Sequence, residues 1–213
     1  TEYALLDLNF LGINNLWLLR GDSKPLDIAE KDLCLYHEHA TDLQEQVNRF
    51  NQGIGLDGSK IEGIETPFSY GMACYPEKHE EAPNMESDLF YLKEKVRNGA
   101  DYVVTQMFFD NEKYYAFVER CRQEGIDVPI IPGIKPVVFK NQLNVLPKVF
   151  RTDIPEAFAS ELRKCTTDEE VKAVGVEWCK AQCKDLLAHG VPGLHFYTFM
   201  ASDSVYKVAK EVY

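Results

Sequence analysis

The sequence predicts an α/β chain and, among α/β architectures, part of a (β/α)8 TIM barrel. Three observations lead there. Short apolar runs alternate with amphipathic helical patterns, which implies parallel strands joined by right-handed crossovers. The runs are apolar throughout rather than at every second residue, so both faces of the sheet are covered. Polar residues gather just after the runs: Arg20 and Asp22; Tyr75, Glu77 and His79; Gln106 and Asp110; Lys135; Tyr197 and Ser202. In a barrel, function collects at the carboxyl ends of the strands. An open doubly wound sheet would satisfy the first two observations. No GxGxxG follows any run, however, so its dinucleotide-binding version has no support.

The elements follow in order. A helical pattern opens the chain, with Ala4, Leu5, Leu8 and Leu11 on one face and Gly12 as its stop. A strand covers 14–19, and 23–34 reads as loop. A helix covers 41–50, with Leu43, Val47 and Phe50 at i, i+4 and i+7. The Gly- and Asp-rich stretch 51–67 reads as a loop or short ribbon. The second strand, 68–75, is halted by Pro76. A helix over 87–98 turns Leu89, Leu92 and Val96 inward, and Gly99 ends it. After a third strand at 102–108, Asp110 caps a helix whose stripe is Tyr114, Phe117, Val118 and Cys121. The fourth strand, 128–131, is closed by Pro132-Gly133. A long helix over 167–189, a fifth strand at 194–199 and a helix over 204–212 complete the chain. Five strands are countable and the chain opens on a helix. The reading therefore expects one partial barrel domain over 1–213, with roughly the first three β/α units absent from this chain.

Composition narrows the function classes. The 213 residues hold 34 acidic and 23 basic side chains, a net charge of −11. Nucleic acid as a main partner would need a basic face. No run approaches the roughly 18 apolar residues of a membrane span, and no signal peptide is recognisable. Six scattered cysteines with no CxxC pair point to a reducing, cytoplasmic setting.

Several residues could carry chemistry. Asp22 ends an apolar strand, where a carboxylate would stabilise a developing cation; a turn or helix cap explains it equally well. The segment Cys74-Tyr75-Pro76-Glu77-Lys78-His79-Glu80-Glu81-Ala82-Pro83 could hold a cofactor's sugar, phosphates or ring edge. His79 beside glutamates, and Cys34 with His37 and His39, invite a metal reading, but neither has metal-site spacing. Gln106 offers both a donor and an acceptor, suited to a heterocycle edge, unless backbone groups satisfy it. Lys135 could form a Schiff base in an unrelated lyase, though a solvated lysine is the commoner case. Tyr197 and Phe199 could stack on a flat ligand or fill core.

Five of these stretches, taken together, resemble methylenetetrahydrofolate reductase. They are Leu19-Arg20-Gly21-Asp22, Ala73 through Ala82, Thr105-Gln106-Met107-Phe108-Phe109-Asp110, Ile130-Ile131-Pro132-Gly133-Ile134 and Leu194-His195-Phe196-Tyr197-Thr198. They occur in that family's order, each at a strand end. The resemblance implies a flavin barrel in which NADH or NADPH reduces FAD, and the reduced flavin converts methylenetetrahydrofolate to methyltetrahydrofolate, in one-carbon and methionine metabolism. The cofactor does the hydride chemistry, and the protein positions and polarises. By motif, Asp22 matches the catalytic aspartate near flavin and folate. Leu19, Arg20 and Gly21 run beside the flavin. Ala73, Tyr75 and His79 line the FAD site, and Asp88 and Lys95 reach its ribose or diphosphate. Gln106, Gln142 and Tyr197 contact substrate. A homo-oligomer is compatible with the family.

The sequence departs from the family at Leu146, where a phenylalanine is frequent, and at Ala201, where an arginine sometimes stands. The stretch between Asp22 and Ala73 is longer than in compact members. The family's general acid, a glutamate on its first strand, would precede Thr1. An isolated 213-residue polypeptide is therefore expected to be an inactive or partner-completed fragment.

Overall fold

The structure, a computed structural model, describes residues 1–20, 37–64, 66–199 and 201–213. Among these, the elements run α1 (Glu2–Phe10), β1 (Asn15–Leu18), α2 (Ala40–Asn51), β2 (Ser69–Cys74), α3 (Met85–Arg97), β3 (Tyr102–Met107), α4 (Asn111–Gln123), β4 (Ile130–Ile134), α5 (Gln142–Phe150), α6 (Glu156–Lys164), α7 (Asp168–Ala188), β5 (His195–Phe196) and α8 (Ser202–Val212). The five strands lie in one sheet in chain order. The β1–β2 and β4–β5 pairs are parallel. This α/β arrangement is consistent with part of a (β/α)8 barrel.

The chain divides into two compact units. The first comprises Thr1–Ala73 and Lys93–Val103. Its core gathers Leu5, Leu18, Val47, Phe50, Phe68, Tyr70, Met72 and Ala100. Helix α2 forms because Val47 and Phe50 put an apolar stripe on one face. That face also carries Gln44, whose amide donates to the Lys95 carbonyl at 2.7 Å and to the Tyr70 hydroxyl at 3.2 Å. Asn15 of β1 sits opposite Ser69 of β2. Gly71 is a close-approach position: a Cβ there would meet the Tyr102 ring at 2.1 Å.

The second unit comprises Cys74–Leu92 and Val104–Tyr213. One of its clusters joins Met107, Phe109, Val137, Leu146, Phe158, Leu162, Cys165 and Val171. Trp178 of α7 stacks on Phe158, with ring centroids 4.6 Å apart, and donates its indole N–H to the Phe109 carbonyl at 3.2 Å. Gln182 donates to the Phe108 carbonyl at 2.9 Å. The residues just past β3 are thus fixed by α7. That helix starts where predicted: Thr167 accepts from the Glu170 N–H, and the Glu170 carboxylate accepts from the Thr167 N–H.

Four elements differ from the sequence reading. Strand β4 continues through Pro132-Gly133 instead of stopping there. Proline brings no N–H to leave unpaired, and the Gly133 N–H is accepted by Thr105 Oγ1 at 2.8 Å. Helix α5 stands where the sequence reading assigns no element, and it contains Pro147. Helix α6 lacks a side-chain cap and begins after Pro155; it forms by burying Phe158, Ala159 and Leu162. Strand β5 is only two residues long. The five described cysteines, Cys74, Cys121, Cys165, Cys179 and Cys183, are all buried, as small hydrophobes are.

Candidate functional site

Of the predicted residues of the second unit, Tyr75 and His79 follow β2 and Tyr197 follows β5, whereas Gln106 lies within β3, Asp88 on α3 and Gln142 at the start of α5. Tyr75 to Ala82 follow β2 as a tight turn held by its own polar groups. Lys78 takes a left-handed backbone (φ 78°) and donates to the carbonyls of His79 and Ala82 at 3.1 and 2.5 Å. The His79 N–H donates to Asp88 of α3 at 2.9 Å. Its ring meets Tyr75 edge-on at 4.6 Å and accepts the Glu81 N–H on Nδ1 at 3.2 Å. Tyr75, His79 and Asp88 are therefore one cluster, with Asp88 as the residue that sets the turn.

Glu77 anchors this turn to the rest of the unit. Lys113 of α4 donates to both the Glu77 and Asp153 carboxylates. The Asp153 N–H is shared by the two Glu77 oxygens at 3.1 and 3.2 Å. Burial works against the Lys113 charge, but the Asp153 and Glu77 carboxylates outweigh it and raise its pKa. Beside this hub lies a cleft of about 580 Å3, bordered by Asp110, Lys113, Asn144, Asp153, Glu156 and Arg163. Among the described residues of this unit, Tyr75, His79, Asp88, Gln106, Gln142 and Tyr197 do not border it.

Gln106 lies in β3, half-buried, with Oε1 accepting the Met107 N–H at 2.9 Å. Asp110 caps α4 as predicted, accepting the Glu112 N–H at 3.0 Å. Gln142 opens α5, and its Oε1 accepts the N–H groups of Val138 and Phe139 at 2.8 and 3.1 Å. The side-chain oxygen of each glutamine thus faces backbone. Tyr197 follows β5 and donates to the Thr105 carbonyl at 2.9 Å; burial pushes its phenol far up. A Cβ on Gly133 would lie 2.2 Å from the same Thr105 oxygen and 2.6 Å from the Tyr197 ring. Glycine is required there because β4 passes so close. Leu146, at the frequent phenylalanine position, is buried core.

Lys135 is not solvated. It is 3% exposed, and its Nζ has no hydrogen-bond acceptor among the described residues. The ammonium lies 4.5 Å over the ring of Phe199, itself held at φ 40°. Burial lowers its pKa.

In the first unit, Leu19 follows β1 and is exposed, and Arg20 donates to the Glu38 carbonyl at 3.5 Å. Ala73 is the penultimate residue of β2, and its carbonyl accepts from Lys95 of α3 at 3.0 Å. Lys95 lies in the last turn of α3. Gly21, Asp22 and Cys34 lie outside the described residues. His37 contacts Gln46 Oε1 at 2.7 Å, and His39 precedes α2 with its N–H on Asp42 at 2.7 Å. Glu77, Lys113, Asp153 and Thr105 had no assigned role in the sequence reading. Glu77 lay in a segment already singled out, but nothing local joins it to Asp153, 76 residues on.

The chain is similar to known proteins. The chain is 37% identical over 206 residues to a probable methylenetetrahydrofolate reductase (NADPH) of Caenorhabditis elegans, covering 95% of this chain and 28% of that protein. It is 34% identical over 220 residues to methylenetetrahydrofolate reductase (NADH) 1 of Arabidopsis thaliana, covering 95% and 34%. It is 39% identical over 142 residues to 5,10-methylenetetrahydrofolate reductase of Escherichia coli, covering 66% and 48%. The chain thus spans about a third of the length of the first two relatives. A solved structure of an uncharacterized protein from Clostridium thermocellum, described as binding two copies of 5-methyl-5,6,7,8-tetrahydrofolic acid, has the same fold, with a TM-score of 0.50 at 14% identity over 100% of this chain and 91% of that one. The family model of methylenetetrahydrofolate reductase matches from residue 1 to residue 213. Supported over its whole length by that match and by relatives of this similarity, the chain belongs to the methylenetetrahydrofolate reductase family.

Proposed function

We propose that the chain is part of an FAD-dependent methylenetetrahydrofolate reductase that takes electrons from NADH or NADPH, in a reducing cytoplasmic compartment. The observation that carries this reading is the family match across all 213 residues. A flavin dinucleotide fits the residues present. By the family resemblance, the Asp88 carboxylate suits ribose hydroxyls and the Lys95 ammonium suits a diphosphate. The Tyr75 and His79 rings give a flat group an aromatic edge. When bound, FAD supplies two-electron hydride transfer between nicotinamide and folate.

The chain's own residues bind and orient. Gln106 and Gln142 each keep an amide NH2 beyond the backbone contacts of their oxygens. Such donors would align a pterin or a nicotinamide carboxamide. Tyr197, half-buried and locked to Thr105, stays a neutral phenol that packs rather than ionises. Asp22 would hold negative charge against the cationic iminium form of the folate.

The test is the full-length polypeptide. Purified protein should be yellow, should bleach anaerobically with NADH or NADPH, and should recolour on adding methylenetetrahydrofolate as methyltetrahydrofolate forms. Colourless protein that ignores added FAD would end the proposal.

A further inference from the structure

We infer that Glu77 is a positioning residue: its carboxylate fixes the Tyr75–His79 turn to α4 and to the segment that ends α5. The inference rests on the flavin reading of that turn and extends it to a residue that contacts no ligand in that reading.

Three independent contacts converge on the turn. Glu77, 12% exposed at its side chain, shares Lys113 with Asp153. It also takes the Asp153 N–H on both oxygens. Three residues on, Glu80 pairs with Arg151 at 3.6 Å. Arg151 caps α5 in a left-handed conformation, φ 55°, and Lys78 takes another within the turn. Left-handed backbone is unfavourable for residues with a Cβ and persists where surrounding contacts over-determine it. The brace is asymmetric in charge, with one cation between two carboxylates. Lys113 therefore does more than pair with Glu77: without it, Glu77 and Asp153 would repel across the same gap.

The consequence is a physical link between two parts of the proposed site. The turn holds Tyr75 and His79, and α5 begins at Gln142 and ends beside Arg151 and Asp153. Loosening Glu77 should release the turn while leaving the unit's apolar core intact.

The experiment uses the full-length polypeptide as wild type, Glu77→Gln and Glu77→Ala. Amide hydrogen exchange over 75–82 is followed without flavin, and FAD affinity is then measured by fluorescence titration of the apoprotein. Glutamine keeps an oxygen for the Asp153 N–H and loses the charge, whereas alanine loses both. Exchange should speed up in the order wild type, Gln, Ala. The FAD dissociation constant should rise about tenfold for Gln, the scale of one charge-assisted hydrogen bond, and further for Ala. Glu94→Gln, which removes an exposed pair with Arg97, should change neither. If the Ala variant does not fold, Lys113→Met, which leaves Glu77 and Asp153 unscreened, should speed exchange over 75–82 and weaken FAD binding at least as much as Gln does. Unchanged exchange in the folded variants overturns the brace. Faster exchange with wild-type FAD affinity overturns its positioning role. Wild-type protein that binds no FAD overturns the flavin reading instead, and exchange alone then decides the brace.

Discussion

Replacing Lys135 with methionine should stabilise the protein. The lysine is 3% exposed, and its ammonium has no acceptor among the described residues. Leaving a buried donor unsatisfied costs about 1–3 kcal/mol. The Phe199 ring at 4.5 Å returns part of this, about 0.5–2 kcal/mol for a cation over an aromatic face. Methionine has a similar length and volume and carries no charge, so a net gain of about 1 kcal/mol at pH 7 is expected from these two magnitudes. The pH dependence supplies an independent check. Burial, partly offset by Cys179, lowers the folded-state pKa of Lys135 below its ordinary 10.5. Between the lowered and the ordinary value, the unfolded chain binds more protons than the folded one, so stability rises with pH there. Below that window, the full penalty of a buried charge is present. The advantage of Lys135→Met should therefore be largest near neutrality and shrink as pH approaches 10. Urea unfolding of the full-length polypeptide at both pH values measures this. A methionine variant that is less stable than wild type at pH 7, or whose advantage grows with pH, would refute the reasoning.

Three further perturbations test the packing around β4 and β5. Gly133→Ala would put a methyl 2.2 Å from the Thr105 carbonyl oxygen; a loss of about 3 kcal/mol, the upper range for overpacking, should appear as a lower urea midpoint at constant slope. Tyr197→Phe removes the donor to Thr105 and should cost about 1 kcal/mol by the same measurement. Burial lowers the pKa of His195 from 6.5, so the folded state resists protonation and stability should fall as pH drops below the unfolded value. His195→Gln should flatten that part of the acid-stability curve between pH 7 and pH 5.

The parts of the molecule legible in the sequence are those encoded within a few residues. The cap at Asp110, the start of α7 after Thr167 and the stripe of α2 need only neighbours along one helix, and they stand where the spacing put them. Pro132-Gly133 misled for the same reason. As a local signal it ends a strand, but Thr105, 28 residues earlier, supplies the acceptor that lets the strand continue. Lys135 misled likewise, because a charged residue after a strand reads as solvated until Phe199 is folded over it.

The site divides along the same line. Gln106 reads from the sequence as a polar group at a strand, and the family resemblance assigns it, with Asp88, Lys95 and Gln142, to ligands. The structure shows each of them already holding backbone: Asp88 the His79 N–H, Lys95 the Ala73 carbonyl, Gln106 the Met107 N–H and Gln142 the start of α5. Loop-holding and ligand-holding therefore draw on the same side chains. A carboxylate or ammonium that first fixes the local backbone arrives at a ligand with its entropy already spent, which is how a surface turn becomes a precise binding element. It also follows that loss of flavin on mutating Asp88 would not by itself identify a contact, because the turn carrying His79 would move with it. Glu77 separates the two effects, since in this arrangement it reaches the turn and its supports while standing outside the residues assigned to the flavin.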